Sequence, residues 1–347
     1  MKKIMCFFVL LSSIFVNKNV NSSQNQYINK SYIVLNATNN EMIEGKDVNL
    51  IRSVASVSKI MTAIVAIESN MLEKKVVITK EDIDTYGSSI YLKEGNEITL
   101  LDLVYGLMLR SGNDAANVIA RVVGGSVENF SIMMNNKAKE IGMLNSTFTN
   151  PSGLDVNETG NLSTSYDLAI LMSYAIKNET FLKISSTKVY KSEIGTWENK
   201  NKLLRNYNKT IAGKTGFTYK AKRTLVTAAK DDENTFVVVT LDCGNDFNFH
   251  KYLYEKNFDI YKTIKVLDKG ENYIDKYSIT CETNIYATVD KNNIGNYSIQ
   301  HHIDNNMSEV YLINRDDKKL IGECKAKETE KTQYKKSIWQ RIKEMFK

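Results

Sequence analysis

The sequence predicts an α/β (α+β) domain, a small all-β domain after it and an amphipathic C-terminal helix, and three observations carry that expectation. Up to residue 262, stretches with helical apolar spacing alternate with short extended runs dense in Val and Thr. From residue 263 the composition shifts to short Thr, Ile, Tyr and Val runs separated by Asn, Asp and Gly. At the end, Tyr334, Ile338, Ile342 and Met345 fall on one helical face, with Trp339 and Phe346 beside them. At 347 residues, 42% hydrophobic and 25% charged, the chain has room for two globular domains and a sizeable core.

Taken in order, Lys2 and Lys3 precede an apolar run from Ile4 to Val16 and a polar stretch from Asn17 to Gln26. That order is the signature of an export peptide, and the run is short for a membrane span. The expected division is therefore 1–23 as signal, 24–262 as the main domain, 263–325 as the β domain and 326–347 as a basic tail. YIVLN at Tyr32 to Asn36 predicts a strand, with a second extended piece near Val48. The stretch Val54 to Ile67, VASVSKIMTAIVAI, predicts a buried helix. Lys75 to Thr79 and Glu97 to Leu100 are strand-like. Leu101, Leu103, Val104, Leu107 and Met108 face a core from a helix that ends at Ser111-Gly112-Asn113, and a new helix runs from Asp114 to Val122. Helices over Val127 to Glu140, Ser165 to Ile176 and Asn248 to Tyr261, and strands over Arg223 to Ala229 and Thr235 to Leu241, complete the first domain. Pro151, the chain's one proline, and Gly153 shape a loop in FTNPSGLD.

The composition excludes several chemistries. The balance of 46 basic against 40 acidic residues gives a net charge of only +6, and the tail alone combines basic residues with aromatics, so nucleic-acid binding is not expected. Wall or membrane polyanions are the fitting polyanionic partners. All three histidines, His250, His301 and His302, lie beyond the motif-bearing stretches, which argues against a Ser-His-Asp triad or a histidine-bound zinc. No cysteine stands between Cys6 and Cys243, so a Cys-His protease is excluded there. Cys243, Cys281 and Cys324 remain after export, which allows at most one internal bridge. They are expected to be mainly buried packing residues.

Three short motifs remain. Ser56 stands at the start of the Val54 helix, where backbone N–H groups and the positive dipole end help to stabilise an oxyanion, and Lys59 follows one turn later on the same face. A neutral lysine amine there can take the serine proton, which makes the pair a candidate nucleophile and base. Serine also caps helices, and a second Ser-x-x-Lys occurs at Ser185 and Lys188 without such a setting. Ser111-Gly112-Asn113 is a polar turn between apolar helices. In Gly213-Lys214-Thr215-Gly216, flanking glycines free the backbone for close approach, while Lys214 and Thr215 offer a charge and a hydroxyl to a carboxylate; an ordinary glycine turn between strands is the plainer alternative. A phosphate loop is excluded, because Asn208 occupies the position of its first glycine.

In this order the motifs SVSK, SGN and KTG resemble those of penicillin-binding proteins and serine β-lactamases. YGLMLR at Tyr105, SGNDAA at Ser111, MNNKA at Met134, GMLNSTFTNPSGLD at Gly142 and GKTGFT at Gly213 narrow the resemblance to low-molecular-mass D-alanyl-D-alanine carboxypeptidases, over Tyr32 to Tyr261. Val54 and Ser152 depart from the family pattern, which often has proline and histidine there. The glutamate element that deacylates class A β-lactamases is absent. The resemblance implies a DD-peptidase/β-lactamase-like fold and a cofactor-free serine carboxypeptidase that removes the terminal D-alanine from peptidoglycan stem pentapeptides and is inhibited by β-lactams. Its site would comprise Ser56 as nucleophile, Lys59 as base, Ser111 as proton relay and Asn113 on the substrate backbone. Lys214, Thr215 and Gly216 would hold the carboxylate, with an oxyanion pocket between the Ser56 and Phe217 N–H groups. Burial and the charge of Lys214 would lower the Lys59 pKa. A DD-endopeptidase and a slow penicillin-binding wall sensor are the rivals. The tail, with six basic residues against Glu344 between Lys331 and Lys347, suits a membrane surface, placing the enzyme outside the bacterial cytoplasmic membrane.

Overall fold

The alternation of side chains along five strands sets the centre of the molecule. The structure, a computed structural model, describes residues 30–155, 160–232, 234–315 and 317–329. The expected export peptide and the basic tail from Lys331 lie outside them. The main sheet contains β1 (Ser31–Asn36), β2 (Glu41–Lys46), β3 (Thr210–Thr218), β4 (Lys222–Asp231) and β5 (Asn234–Leu241), all antiparallel, in the spatial order β2-β1-β5-β4-β3. Successive strand residues face opposite sides. Ile33, Leu35, Val237 and Val239 thus enter one core, and Val34, Phe236 and Val238 enter another.

The first face is covered by α1 (Lys59–Glu68), α2 (Leu100–Arg110), α3 (Asn113–Gly124), α4 (Val127–Glu140), α5 (Ser165–Ala175) and α6 (Glu179–Ser186), and the second by α7 (Asp246–Ile260). Every residue of α1 from Lys59 to Ile67 is buried, and the helix touches each of α2 to α6. A helix surrounded in this way must be apolar on all sides, which makes its buried lysine conspicuous. Among the candidate caps before α5, the Thr164 hydroxyl accepts from Asp167 N at 3.0 Å.

Three local features differ from the sequence expectation. The helix expected from Val54 begins as a 3₁₀ turn over Ala55–Ser58, with α1 starting only at Lys59. The Gly213 to Phe217 segment lies within the extended strand β3, where glycines read locally as a turn. Helix α6 and the hairpin of Val189–Ser192 with Gly195–Glu198 were not anticipated.

After α7 the chain forms β6 (Tyr261–Leu267), β7 (Gly270–Ile274), β8 (Tyr277–Cys281), β9 (Ile285–Asp290), β10 (Tyr297–Asp304), β11 (Met307–Asn314) and β12 (Asp317–Glu328). β6 pairs with β9, and the others form a sheet in the order β7-β8-β12-β11-β10 around a separate core that includes Ile264, Ile279, Val289 and Val310. This part meets the main sheet at Asn36, whose amide donates to the Thr263 and Thr288 hydroxyls at 2.8 and 2.9 Å. The cysteines need a correction. Cys281 and Cys324 form a disulfide between β8 and β12, whereas Cys243 is the buried packing residue expected. Replacing both bridge cysteines by alanine frees a loop spanning 43 positions and should destabilise the β part by about 2–4 kcal/mol. Hydrogen exchange should accelerate in β8 and β12 and remain unchanged in β4 and β5.

Candidate active site

The site begins with a backbone reversal. Ala55 adopts φ +52°, a left-handed conformation that costs an L-residue about 1–2 kcal/mol. It turns the chain from the short strand Arg52–Ser53 into the 3₁₀ turn that carries Ser56. Gly153, at φ +79°, makes the close approach possible, because a Cβ there would overlap the Ala55 carbonyl. The Ser58 hydroxyl donates to that carbonyl at 2.8 Å.

Lys59, the first residue of α1, is fully buried. Its amine donates to Ser56 Oγ at 3.1 Å, to Asn113 Oδ1 at 2.7 Å and to the Ser152 carbonyl. Burial, followed by the charge of Lys200, lowers its pKa to about 7, with Asp114 acting in the opposite direction. Burial acts as expected, Lys200 is a further cation that the sequence did not suggest, and the expected repulsion between Lys59 and Lys214 contributes to the lowering of Lys214. The Lys214 amine is itself fully buried and held well below the ordinary lysine range, first by burial and then by Lys59 and Lys200.

Asn113 opens α3 and bridges two walls: its Oδ1 accepts from Lys59 while its Nδ2 donates to the Tyr86 carbonyl at 2.6 Å. Ser111 occupies the left-handed end of α2 at φ +65°, buried two residues before Asn113. Its hydroxyl has no hydrogen-bond partner among the described residues. β3 supplies the opposite wall. A Cβ at Gly216 would overlap the Thr224 hydroxyl and come within 3.0 Å of Ser56 N, so glycine lets the strand lie against the Ser56 turn. Lys214 points inward and donates to the Thr215 carbonyl at 2.7 Å, Thr215 is half-buried, and Phe217 is exposed.

Sequence reasoning missed four contributors. The Ser152 carbonyl receives both Lys59 and, at 3.4 Å, the Ser56 hydroxyl; as a main-chain group it leaves no trace in the sequence. Lys200, flanked by Asn199 and Asn201 and followed by Lys202, belongs to no motif. Asp114, within the SGNDAA run, accepts from the Ile90 and Leu92 N–H groups, each at 3.1 Å, and so fixes the loop beside Asn113. Ser185, from the second Ser-x-x-Lys, accepts from Gly213 N at 3.0 Å and braces the outer edge of β3.

A serine hydroxyl beside a buried amine that is about half neutral at pH 7, walled by an edge strand and a second buried lysine, has the make-up of a serine-type acyl-transfer site. The D-alanyl-D-alanine carboxypeptidase family, peptidase family S11, matches residues 18–245, and the chain belongs to that family. It is 30% identical over 272 residues to the D-alanyl-D-alanine carboxypeptidase DacF of Bacillus subtilis, covering 71% of this chain and 69% of that protein. Among solved structures, a D-alanyl-D-alanine carboxypeptidase from Mycobacterium tuberculosis superposes with a TM-score of 0.63 at 29% identity, over 66% of this chain and 90% of the other. Penicillin-binding protein 5 from Haemophilus influenzae shares the fold over 86% of this chain and 96% of its own, with a TM-score of 0.78 at 21% identity.

Two outcomes follow from this geometry. Because Lys59 can accept a proton only when neutral, acylation of Ser56 by a penicillin should rise with pH through a midpoint near 7 and fall at lower pH; stopped-flow rates from pH 5 to 9 test this. Gly216→Ala should displace β3 from the Ser56 turn and slow acylation on the order of 100-fold. The melting temperature, measured in parallel, should fall by only a few degrees.

Proposed function

We propose that this protein is an exported serine D-alanyl-D-alanine carboxypeptidase that removes the terminal D-alanine from peptidoglycan stem pentapeptides. The observation that carries this reading is the fully buried Lys59 amine, 3.1 Å from the Ser56 hydroxyl and with its pKa lowered to about 7. Ser56 Oγ attacks the carbonyl between the two D-alanines as Lys59 takes its proton. The Ser56 and Phe217 N–H groups face the developing oxyanion, and the C–N bond breaks to give an ester on Ser56 and free D-alanine. Ser111 passes the proton to the departing amine. Asn113 hydrogen-bonds the substrate backbone, while Lys214, Thr215 and Gly216 hold the terminal carboxylate. Water then hydrolyses the ester. The four-membered ring of a β-lactam meets the same serine and remains attached.

The charged, apolar and polar succession at the N-terminus supports export. No helix among the described residues is long and apolar enough to cross a membrane. The basic, Trp-bordered tail supports peripheral attachment to the outer face of the cytoplasmic membrane. Residues 24–262 carry the catalysis in this reading, and residues 263–325 form the β domain between it and the tail.

The test is mass spectrometry of a D-Ala-D-Ala-terminated pentapeptide incubated with wild type and with Ser56→Ala. Loss of one alanine with wild type alone is the expected result. An intact pentapeptide with cleavage of cross-linked dimers would identify an endopeptidase instead, and the lack of any penicillin adduct on Ser56 would end the acyl-enzyme reading.

A further inference from the structure

Lys200 lies outside all three motifs, on the segment between the Gly195–Glu198 strand and β3. It is fastened at both ends. Its main-chain N–H donates to the Leu109 carbonyl at 3.1 Å, and its amine donates to Ser88 Oγ at 2.9 Å. The Ser88 carbonyl in turn receives the Asn113 N–H at 2.8 Å, and the Tyr86 carbonyl receives the Asn113 side-chain amide. Asn113 Oδ1 accepts from Lys59. The half-buried Lys200 cation therefore stands one loop behind the carboxamide that holds the base, and it forms no ion pair among the described residues.

We propose that Lys200 is a positioning residue for this reaction: it braces the Ser88 loop on which Asn113 rests, and its charge sets the field in which Lys59 accepts the Ser56 proton. The inference rests on the acyl-transfer reading above and deepens it.

The charges facing Lys59 are Lys200, Lys214 on β3 and Asp114 on α3, with Arg110 on α2 facing Lys200. Asp114 is the one of these that favours an ammonium. Its carboxylate is already engaged by the N–H groups of Ile90, Leu92 and Ala115 and by the Ser89 hydroxyl. Like charges disfavour the protonated amine. Removing Lys200 therefore lets Lys59 retain its proton to higher pH, and the acid limb of the rate profile moves in the alkaline direction.

The test compares the pH dependence of Ser56 acylation by a fluorescent penicillin in purified wild type, Lys200→Met, Lys200→Arg and Ser88→Ala. With Lys200→Met the midpoint should rise by about half a pH unit or more, which at pH 6.5 is roughly a threefold loss of rate. Lys200→Arg should restore a midpoint close to wild type. Ser88→Ala, which keeps the charge but loses the brace, should lower the plateau without moving the midpoint. Lys200→Gln reads the same quantity if melting shows the methionine variant to be misfolded. An unmoved midpoint in the neutral variants would overturn the electrostatic role, and an unchanged plateau in Ser88→Ala would overturn the bracing role. Wild type that acylates normally in either case leaves the parent reading standing, whereas wild type that does not acylate at all removes the parent reading itself.

Discussion

The buried amine of Lys59 is the constraint on which the rest of the structure depends. An ammonium removed from water without compensation loses several kcal/mol of solvation. Here the acceptors come from three separate places: the Ser56 turn, Asn113 on α3 and the Ser152 carbonyl on the Pro151 loop. Each is neutral, so none of them stabilises the charge as a carboxylate would. Burial and the charge of Lys200 bring the pKa to about 7, so near neutral pH about half of the amines carry a free lone pair, the form that can take a proton from a hydroxyl. The arrangement that secures the helix core is also the one that presents this amine to Ser56, and loss of any one acceptor would disturb both.

The second requirement is an open strand edge beside that amine. An uncovered edge is an invitation to unwanted pairing, and proteins usually cover or interrupt it. β3 is covered only in part. The Ser185 hydroxyl occupies the Gly213 N–H, while Gly216 further along lies against the Ser56 turn. The glycines at 153 and 216 serve one purpose from two sides, since each removes the Cβ that would keep its backbone away from the Ala55–Ser58 turn. Close approach, more than flexibility, explains them.

Much of this was legible because it is local. The periodicity located β1, β4 and β5 of the main sheet and most of its helices, Ser56 and Lys59 stood out by type and spacing, and Asn113 entered with the SGN motif of the family resemblance. What was not legible depends on partners distant in sequence. Lys200 matters through Ser88 and Asn113, and a lysine between two asparagines gives no sign of that. Ser185 shares its motif with Ser56, but its role as a brace is defined by Gly213 twenty-eight positions later. The glycines that signalled a turn around Lys214 are tolerated within a strand because neighbouring backbone approaches them closely. The pairing of Cys281 with Cys324 follows from the adjacency of β8 and β12, which the cysteine spacing does not reveal.

The register of the main sheet separates the two parts of the chain. Gly216 pairs with Thr224 and Thr224 with Leu241, which places the Ser56 turn at one end of the strands. Asn36 pairs with Phe236 at the other end, and it is Asn36 that anchors the β part through Thr263 and Thr288. Five positions along β5 separate the two ends, about 17 Å at the rise of an antiparallel strand. The β part can therefore be held firmly without covering the β3 edge or the Ser56 turn. The two departures from the family pattern fit the same logic. Val54 contributes its carbonyl to the Thr224 hydroxyl and Ser152 contributes its carbonyl to Lys59, so at both positions the main chain makes the contact with the site, while the Val54 side chain packs in the core and the Ser152 hydroxyl donates to Asn150 Oδ1 within its own loop.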